Sequence, residues 1–392
     1  MYQLTMDLYQ SAAVGALVLV LGLIIVKHSP KLRKFCIPAA VVGGLLSSLI
    51  LLLLHEGDVM EITFDETLKN VCMRAFFCSV GFMASFKLLK AGGRLVTIMV
   101  LLMVLLVLMQ DTLGVLSVSL FDLDPKYGLA LGSISLTGGH GTAAAYGKVL
   151  VEDYGLVGGD IVAIAAATFG LAIAGILGGP ISERLVKKHN LEPSDTDIEL
   201  SEEKEEPIKN DRFLKALILL VACMGAGTLV NYGFDSIGIT LPTYLGALVL
   251  AIIVRNVADA IGYDIPEREI ELLGWISLCL FLSMALMGMK LWQLADLAAA
   301  MVFTLALQTI ALVLFVYFLV FRATGKSYDS AALVAGTTGF GMGATPNAVA
   351  NVEALMQAHG PAPVAYFIVP IIGGVFLDLI NVGVLTAFLN LL

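Results

Sequence analysis

The chain has 392 residues, 58% of them apolar and only 14% charged, with a mean hydropathy of +0.92. Ordinary soluble domains are about 45 to 50% apolar and about 25% charged, so a water-soluble globular domain is excluded and an all-α integral membrane protein is expected. The net charge of −9 does not mark a surface for basic partners, because much of the acid falls in one stretch, "EPSDTDIELSEEKEE" at residues 192–206, which reads as a solvated linker, and no nucleic-acid partner is expected.

In chain order, apolar runs long enough as helices to cross a hydrocarbon core of roughly 30 Å fall near residues 9–27, 37–54, 68–86, 95–120, 159–179, 213–232, 238–254, 271–289, 294–321 and 363–389. The first is read as a retained helix: no basic residue precedes it, and "LIIVKHSPK" offers no small-residue cleavage site. Two further stretches, 128–150 and 329–352, are apolar but full of Gly, Thr and Ser, and are read as re-entrant hairpins. The cysteines Cys36, Cys72, Cys78, Cys223 and Cys279 are scattered through apolar sequence without metal-ligand spacing, so they read as small packing residues.

Lysine and arginine orient these spans. With the amino terminus outside, the inner connections hold Lys27, Lys31, Arg33 and Lys34, then Lys87, Lys90 and Arg94, then a cluster from Arg184 to Lys215, then Arg255, Arg268, Arg322 and Lys326. The outer connections hold only Lys126 and Lys290. Because cytoplasmic loops retain Lys and Arg, both termini are expected outside and the acidic linker at 187–212 in the cytoplasm. Counting either Gly-rich stretch alone as a full crossing would invert every later loop and spoil the pattern.

The Gly-rich stretch also recurs. "ALGSISLTGGHGTAAA" at 130–145 aligns without a gap on "ALVAGTTGFGMGATPN" at 332–347, so Gly139 meets Gly341 and Gly141 meets Gly343. "LMQDT" at 108–112 echoes "ALQTI" at 306–310, and "FKLLK" at 86–90 echoes "MKLWQ" at 289–293. The expected organisation is therefore a repeat at 1–186, the linker at 187–212 and a second repeat at 213–392, each repeat with five spans and one hairpin. An odd number of crossings places the second copy upside down, and inverted-topology repeats are a recurring architecture of secondary transporters, whose sites lie near the midplane where broken helices of the two halves meet.

Non-helical backbone at membrane depth is tolerated only where protein or a watery cavity covers it. Glycine permits hairpin-tip conformations and close approach to a ligand. Free N–H groups at a helix start suit a carboxylate, while free carbonyls with the hydroxyls of Ser133, Ser135, Thr137, Thr142, Thr337, Thr338 and Thr345 suit a small hard cation. An isolated Gly-Gly pair reads as close helix packing; its recurrence in the second half favours a binding segment. The candidate substrate-facing residues are Gly138, Gly139, His140, Gly141, Thr142, Gly341, Gly343, Thr345 and Asn347, and the candidate ion ligands are Ser135, Thr137, Asp378 and Asn381. Gln110, Asp111 and Gln308 are further candidates inside long spans, where polar groups are costly. Lys148 reads as a snorkelling or carboxylate-countering cation and Arg74 as either a snorkelling or a cavity-facing one. His140 reads as an orienting or binding group rather than a proton carrier, since its repeat partner Met342 does not titrate.

With those residues in view, the chain resembles the bacterial sodium/glutamate symporter family. The resemblance rests on "IPAAVVGGLL" at 37–46, "LKAGGRLV" at 89–96, "LTGGHGTAAAYGK" at 136–148, "LSMALMGMKLWQLA" at 282–295, "GFGMGATPNAVANV" at 339–352 and "FLDLIN" at 376–381. It implies sodium-coupled symport of L-glutamate across the bacterial inner membrane by a homodimer, with an elevator-type alternating-access movement and no cofactor besides the transported Na+. Arg74 stands where an apolar residue is expected in that family.

Three rivals have different signatures. A carrier of another dicarboxylate or acidic amino acid, or a proton-coupled exchanger using His140 or Asp378, shares the same architecture. An intramembrane enzyme built on His140 and a nearby Ser lacks a third orienting group and a nucleophile-elbow pattern, so no enzymatic activity is expected. A passive channel lacks a ring of charged or carbonyl filter residues.

Overall fold

The computed structural model describes residues 2–30, 32, 37–85, 93–193, 208–236, 243–291 and 297–392. Most of the acidic linker, Cys36, all of "FKLLK", residues 89–92 of "LKAGGRLV" and residues 292–295 of "LSMALMGMKLWQLA" lie outside the described residues. Helices α1 (Leu8–His28), α2 (Ala39–Glu56), α3 (Thr67–Met83), α4 (Gly93–Ser119), α5 (Lys126–Ala130), α6 (Gly139–Glu152) and α7 (Gly159–His189) belong to the first half. In the second half follow α8 (Asn210–Asp235), α9 (Leu245–Ile261), α10 (Glu267–Met287), α11 (Ala298–Ala323), α12 (Tyr328–Met342), α13 (Thr345–His359) and α14 (Pro363–Leu391).

Every expected span coincides with a helix. Among the described residues eight are long and apolar enough to cross a membrane, while α3 and α9 are 17 residues each. The chain is a multi-pass membrane protein. Helix α9 lies further along than the expected 238–254, starting at Leu245 and closing on Gly262, whose φ of +72° suits a residue without Cβ. Helix α7 passes Pro180 and runs ten residues beyond the expected end, to His189, with Glu183 and Lys187 paired at 2.6 Å on its exposed face. Both α11 and α14 contain a π-helical stretch, Phe315–Val320 and Ile372–Phe376; the latter follows Pro370, which has no N–H for the regular ladder. One feature departs from the all-α expectation: strands β1 (Tyr2–Thr5) and β2 (Met60–Thr63) pair in parallel, Tyr2 opposite Met60.

The helices assemble into two compact units that each draw on both halves of the sequence. Unit 1 comprises Met1–Ser85, Ala144–Ile161 and Ile208–Asp296; unit 2 comprises Phe86–Ala143, Val162–Pro207 and Leu297–Leu392.

In unit 1, α1 and α2 cross at glycines. A Cβ on Gly22 would lie 1.9 Å from the Ala39 carbonyl and one on Gly43 2.0 Å from that of Val18, so only glycine allows this approach. Helix α3 packs on α9 and α10, and Phe77 stacks on Tyr244 with centroids 4.1 Å apart. One polar end of the unit gathers β1, β2, Glu61 with Lys290 at 3.3 Å, and Glu66 with Lys148 at 2.6 Å. The other gathers Ser85, Arg255, Asp259 and Glu267, with the Arg255 to Glu267 pair at 2.6 Å. Much of α1 and α8 exposes leucine, isoleucine and valine, among them Leu17, Leu23, Leu214 and Val221.

In unit 2, α4 packs against α5, α11 and α14, and α12 against α13 and the start of α14. Both Gly-rich stretches lie in this unit up to Ala143.

Candidate functional site

The two Gly-rich stretches take different local forms. The first runs as α5, a string of turns over 131–138, and then α6. In the turns the Ser133 carbonyl accepts from Gly138 N–H at 2.9 Å and the Gly132 carbonyl from Leu136 N–H at 3.0 Å. Gly139, with φ +61°, opens α6. The second is a helix on both sides of a short break: α12 ends at Met342, Gly343 and Ala344 leave the helical path, and α13 begins at Thr345 with Pro346 in its first turn. The breaks face each other, since a Cβ on Gly139 would stand 3.0 Å from the Gly343 carbonyl. On α7, a Cβ on Gly170 would stand 2.2 Å from the Met342 carbonyl.

Gln110 joins the two stretches. Its Nε2 donates to the Gly341 carbonyl at 2.6 Å, and its Oε1 accepts from Thr137 Oγ1 at 2.6 Å. Gln308 donates to the Gln110 backbone carbonyl at 2.6 Å and keeps a buried Oε1 without a partner among the described residues. Helix α7 supplies further acceptors: Asn347 Nδ2 donates to the Leu171 carbonyl at 2.9 Å and Asn351 Nδ2 to that of Ala174 at 3.1 Å. Asn347 Oδ1 is buried and unpartnered.

His140 is 5% exposed and its Nε2 lies 3.0 Å from Thr168 Oγ1. The Thr168 hydroxyl gives its proton to the Ile164 carbonyl at 2.9 Å, so its lone pair accepts from His140 Nε2–H and fixes that tautomer. Gly138, with Gly141 partly exposed beside buried Thr142, leaves no room for a side chain: a Cβ on Gly138 would meet Asn381 Nδ2 at 2.7 Å. Thr345 Oγ1 lies against Gly373 of α14, 2.8 Å from where its Cβ would be.

Of the candidate ion ligands, Ser135 donates to the carbonyls of Ala130 and Ala163, and Thr137 to Gln110. Thr337 and Thr338 donate back to Leu333 and Val334 of their own helix at 2.7 and 2.8 Å. Asp378 is partly exposed, whereas Asn381, one turn on, is fully buried with Nδ2 donating to the Ser133 carbonyl at 3.1 Å. Asp111 is fully buried too; its Oδ1 accepts from Ser133 N–H at 2.9 Å. Lys148 and Arg74 belong to unit 1: Lys148 pairs with Glu66 and with Glu152 at 3.4 Å, and Arg74 has a buried Nε without a partner among the described residues.

The arrangement thus brings Gly138, Gly139, His140, Thr142, Gly341, Gly343, Asn347, Thr137 and Asn381 into one unit, with two helix starts at Gly139 and Thr345. Helix starts present N–H groups and partial positive charge to an anion, and the buried oxygens of asparagine, glutamine, serine and aspartate are hard donors for an alkali or alkaline-earth cation. Among the described residues no group of three His, Cys, Asp or Glu side chains is set to hold a transition metal. Thr168 and Leu171, which hold the breaks from α7, carry no signal in the sequence, because α7 reads as a plain apolar span.

Residues 4–361 match the model of a protein family described as sodium/glutamate symporter. The chain is 40% identical over 393 residues to a sodium/glutamate symporter of Escherichia coli (strain K12), a match covering 98% of each chain. It is 36% identical over 390 residues to a sodium/glutamate symporter of Haemophilus influenzae, covering 97% of this chain and 96% of that one.

Proposed function

The chain belongs to the sodium/glutamate symporter family, and from that membership we propose that it is a secondary transporter importing L-glutamate with Na+ across the bacterial inner membrane. The observation that carries the reading is the meeting of two Gly-rich breaks, half a chain apart in sequence, clasped by the buried Gln110. The substrate faces residues 138–142 of the first break and Gly341, Gly343, Thr345 and Asn347 of the second, its carboxylates toward the helix starts. Sodium is held by oxygens of the same region, from among Ser135, Thr137, Asp378 and Asn381. A cation beside an anionic substrate offsets its charge in a low-dielectric setting.

In this reading the halves at 1–186 and 213–392 are inverted repeats joined by a cytoplasmic linker at 187–212, with re-entrant segments near 128–150 and 329–352 and both termini periplasmic. The pairing of β1 with β2, and of Lys290 with Glu61, supports it by gathering the amino terminus, the α2–α3 connection and the α10–α11 connection at one end of unit 1. The interleaved division of the chain supports an elevator movement, in which unit 2 carries the cargo and unit 1 serves as scaffold of a homodimer.

The test is uptake of labelled glutamate into proteoliposomes containing the purified protein. An imposed inward sodium gradient accelerates uptake severalfold; uptake indifferent to sodium defeats the coupling. Excess unlabelled L-glutamate competes better than other dicarboxylates and acidic amino acids; the reverse order identifies a different cargo.

A further inference from the structure

Among the described residues five buried side-chain oxygens in unit 2 have no hydrogen-bond partner: Gln308 Oε1, Asn347 Oδ1, and three on Asp111, Ser133 and Asn381, which are bonded to one another through the Ser133 backbone. Asp111 of α4 and Asn381 of α14 grip the backbone of Ser133 from two sides: Asp111 Oδ1 accepts its N–H at 2.9 Å, and Asn381 Nδ2 donates to its carbonyl at 3.1 Å. These bonds leave Asp111 Oδ2, Asn381 Oδ1 and Ser133 Oγ unpartnered, on residues that are each 0% exposed. The amide orientation of Asn381 follows from the network, since a carbonyl accepts only from the NH2 side.

An unpartnered oxygen in a dry interior costs about 1 to 3 kcal/mol, and a buried carboxylate without a counter-charge costs considerably more. Among the described residues no basic side chain lies beside Asp111, whose neighbours are Ser133 and the apolar interior. Three such oxygens on residues joined through one backbone unit, with the Ser133 hydroxyl beside the Asp111 carboxyl, form a donor set that a ligand can complete. The neighbouring glycines let these side chains reach the Ser133 backbone: a Cβ on Gly132 would stand 2.9 Å from Asp111 Oδ1, and one on Gly138 2.7 Å from Asn381 Nδ2.

The donor set selects the ligand. A carboxylate, an amide carbonyl and a hydroxyl are hard oxygens, which suit sodium and exclude soft metals. One carboxylate neutralises a single positive charge, so a monovalent cation leaves the cage neutral while a divalent one leaves buried charge. An anionic substrate group is repelled by Asp111.

We infer that Asp111, Ser133 and Asn381 bind sodium, making this cage one of the sites through which the ion is coupled to transport. The assignment rests on the symport reading for its coupling role, while the binding itself is a property of the three oxygens.

The experiment measures sodium titrations of two quantities, thermal stabilisation of the purified protein without substrate and initial glutamate uptake into proteoliposomes, for wild type, Asp111→Asn and Ser133→Ala. The expected result is a half-effective sodium concentration raised about tenfold or more by Asp111→Asn, the one charge of the cage, and severalfold by Ser133→Ala, in both measurements. Either folded variant titrating within twofold of wild type overturns the site; if Asp111→Asn does not fold, Ser133→Ala alone decides. A wild-type protein stabilised by sodium, with that stabilisation weakened in the variants, while uptake ignores sodium, keeps the site and defeats symport. Sodium-dependent uptake with unshifted variants keeps symport and defeats the site. A pH dependence of uptake abolished by Asp111→Asn with the sodium titration unchanged also defeats it, by assigning Asp111 to a proton.

Discussion

Gln110 Nε2 and the Gly341 carbonyl are bonded at 2.6 Å, although 231 residues separate them. The same amide accepts from Thr137, so one side chain holds a break from each half of the sequence. Gln110→Leu orphans both a buried hydroxyl and a buried carbonyl, at about 1 to 3 kcal/mol apiece. Its expected effect is a clearly lowered thermal unfolding midpoint together with reduced uptake. Thr137→Val in the same background removes the orphaned hydroxyl, so the double variant is less destabilised than the sum of the singles; strict additivity shows that the clasp does not form.

Gly139 has φ +61° and sits against the Gly343 carbonyl. Gly139→Ala incurs about 1 to 2 kcal/mol for the left-handed conformation and pushes a methyl into the opposing break. Glutamate uptake is expected to fall by an order of magnitude or more while expression persists, and assay of membrane-inserted protein against uptake separates the two. Near-normal transport excludes a tight meeting of the breaks.

His140 holds Thr168 through an N–H donor, a role an amide also fills. His140→Gln therefore keeps substantial uptake with the wild-type pH profile, whereas His140→Ala loses most of it. A flattened pH profile in the glutamine variant points instead to proton transfer through the ring.

At one end of unit 1, burial pushes the Glu66 carboxyl up, but Lys69 and Lys148 beside it outweigh burial and hold it below its ordinary 4.5. A depressed folded value means the stabilisation is complete above pH 4.5 and is lost as the pH falls through the lower folded value. Wild-type protein should lose thermal stability on acidification below about pH 4.5, and Glu66→Gln should flatten that slope while lowering stability at neutral pH. Parallel acid profiles for the two proteins dissociate the cluster from acid sensitivity.

What was legible in the sequence followed short-range physics. Runs of leucine, isoleucine and valine located all ten helical spans, and glycines out of place in such runs located both breaks. Asp111 and Gln110 were legible as polar groups at membrane depth, though not what they bind. Ser133 lies 22 residues from Asp111 and 248 from Asn381, and no periodicity links such positions; only packing of α4, α5 and α14 brings them together. The β1–β2 pairing escaped for a related reason, since four-residue strands in polar connections carry too little alternation to register. The glycines of "VVGG" read simply as apolar helix, yet Gly43 is where α2 meets α1.

The interleaved division of the chain sets an order of construction. Unit 1 is complete only when Asp296 has been made and unit 2 only at Leu392, so neither can close around the first half alone. While the ribosome is still working between residues 143 and 341, the Gln110 amide waits for the Gly341 carbonyl, and the Ser133 carbonyl waits longer still for Asn381. The two Gly-rich breaks can meet only once the second has been made, and a chain released before then leaves the Gln110 amide in the membrane without its acceptor.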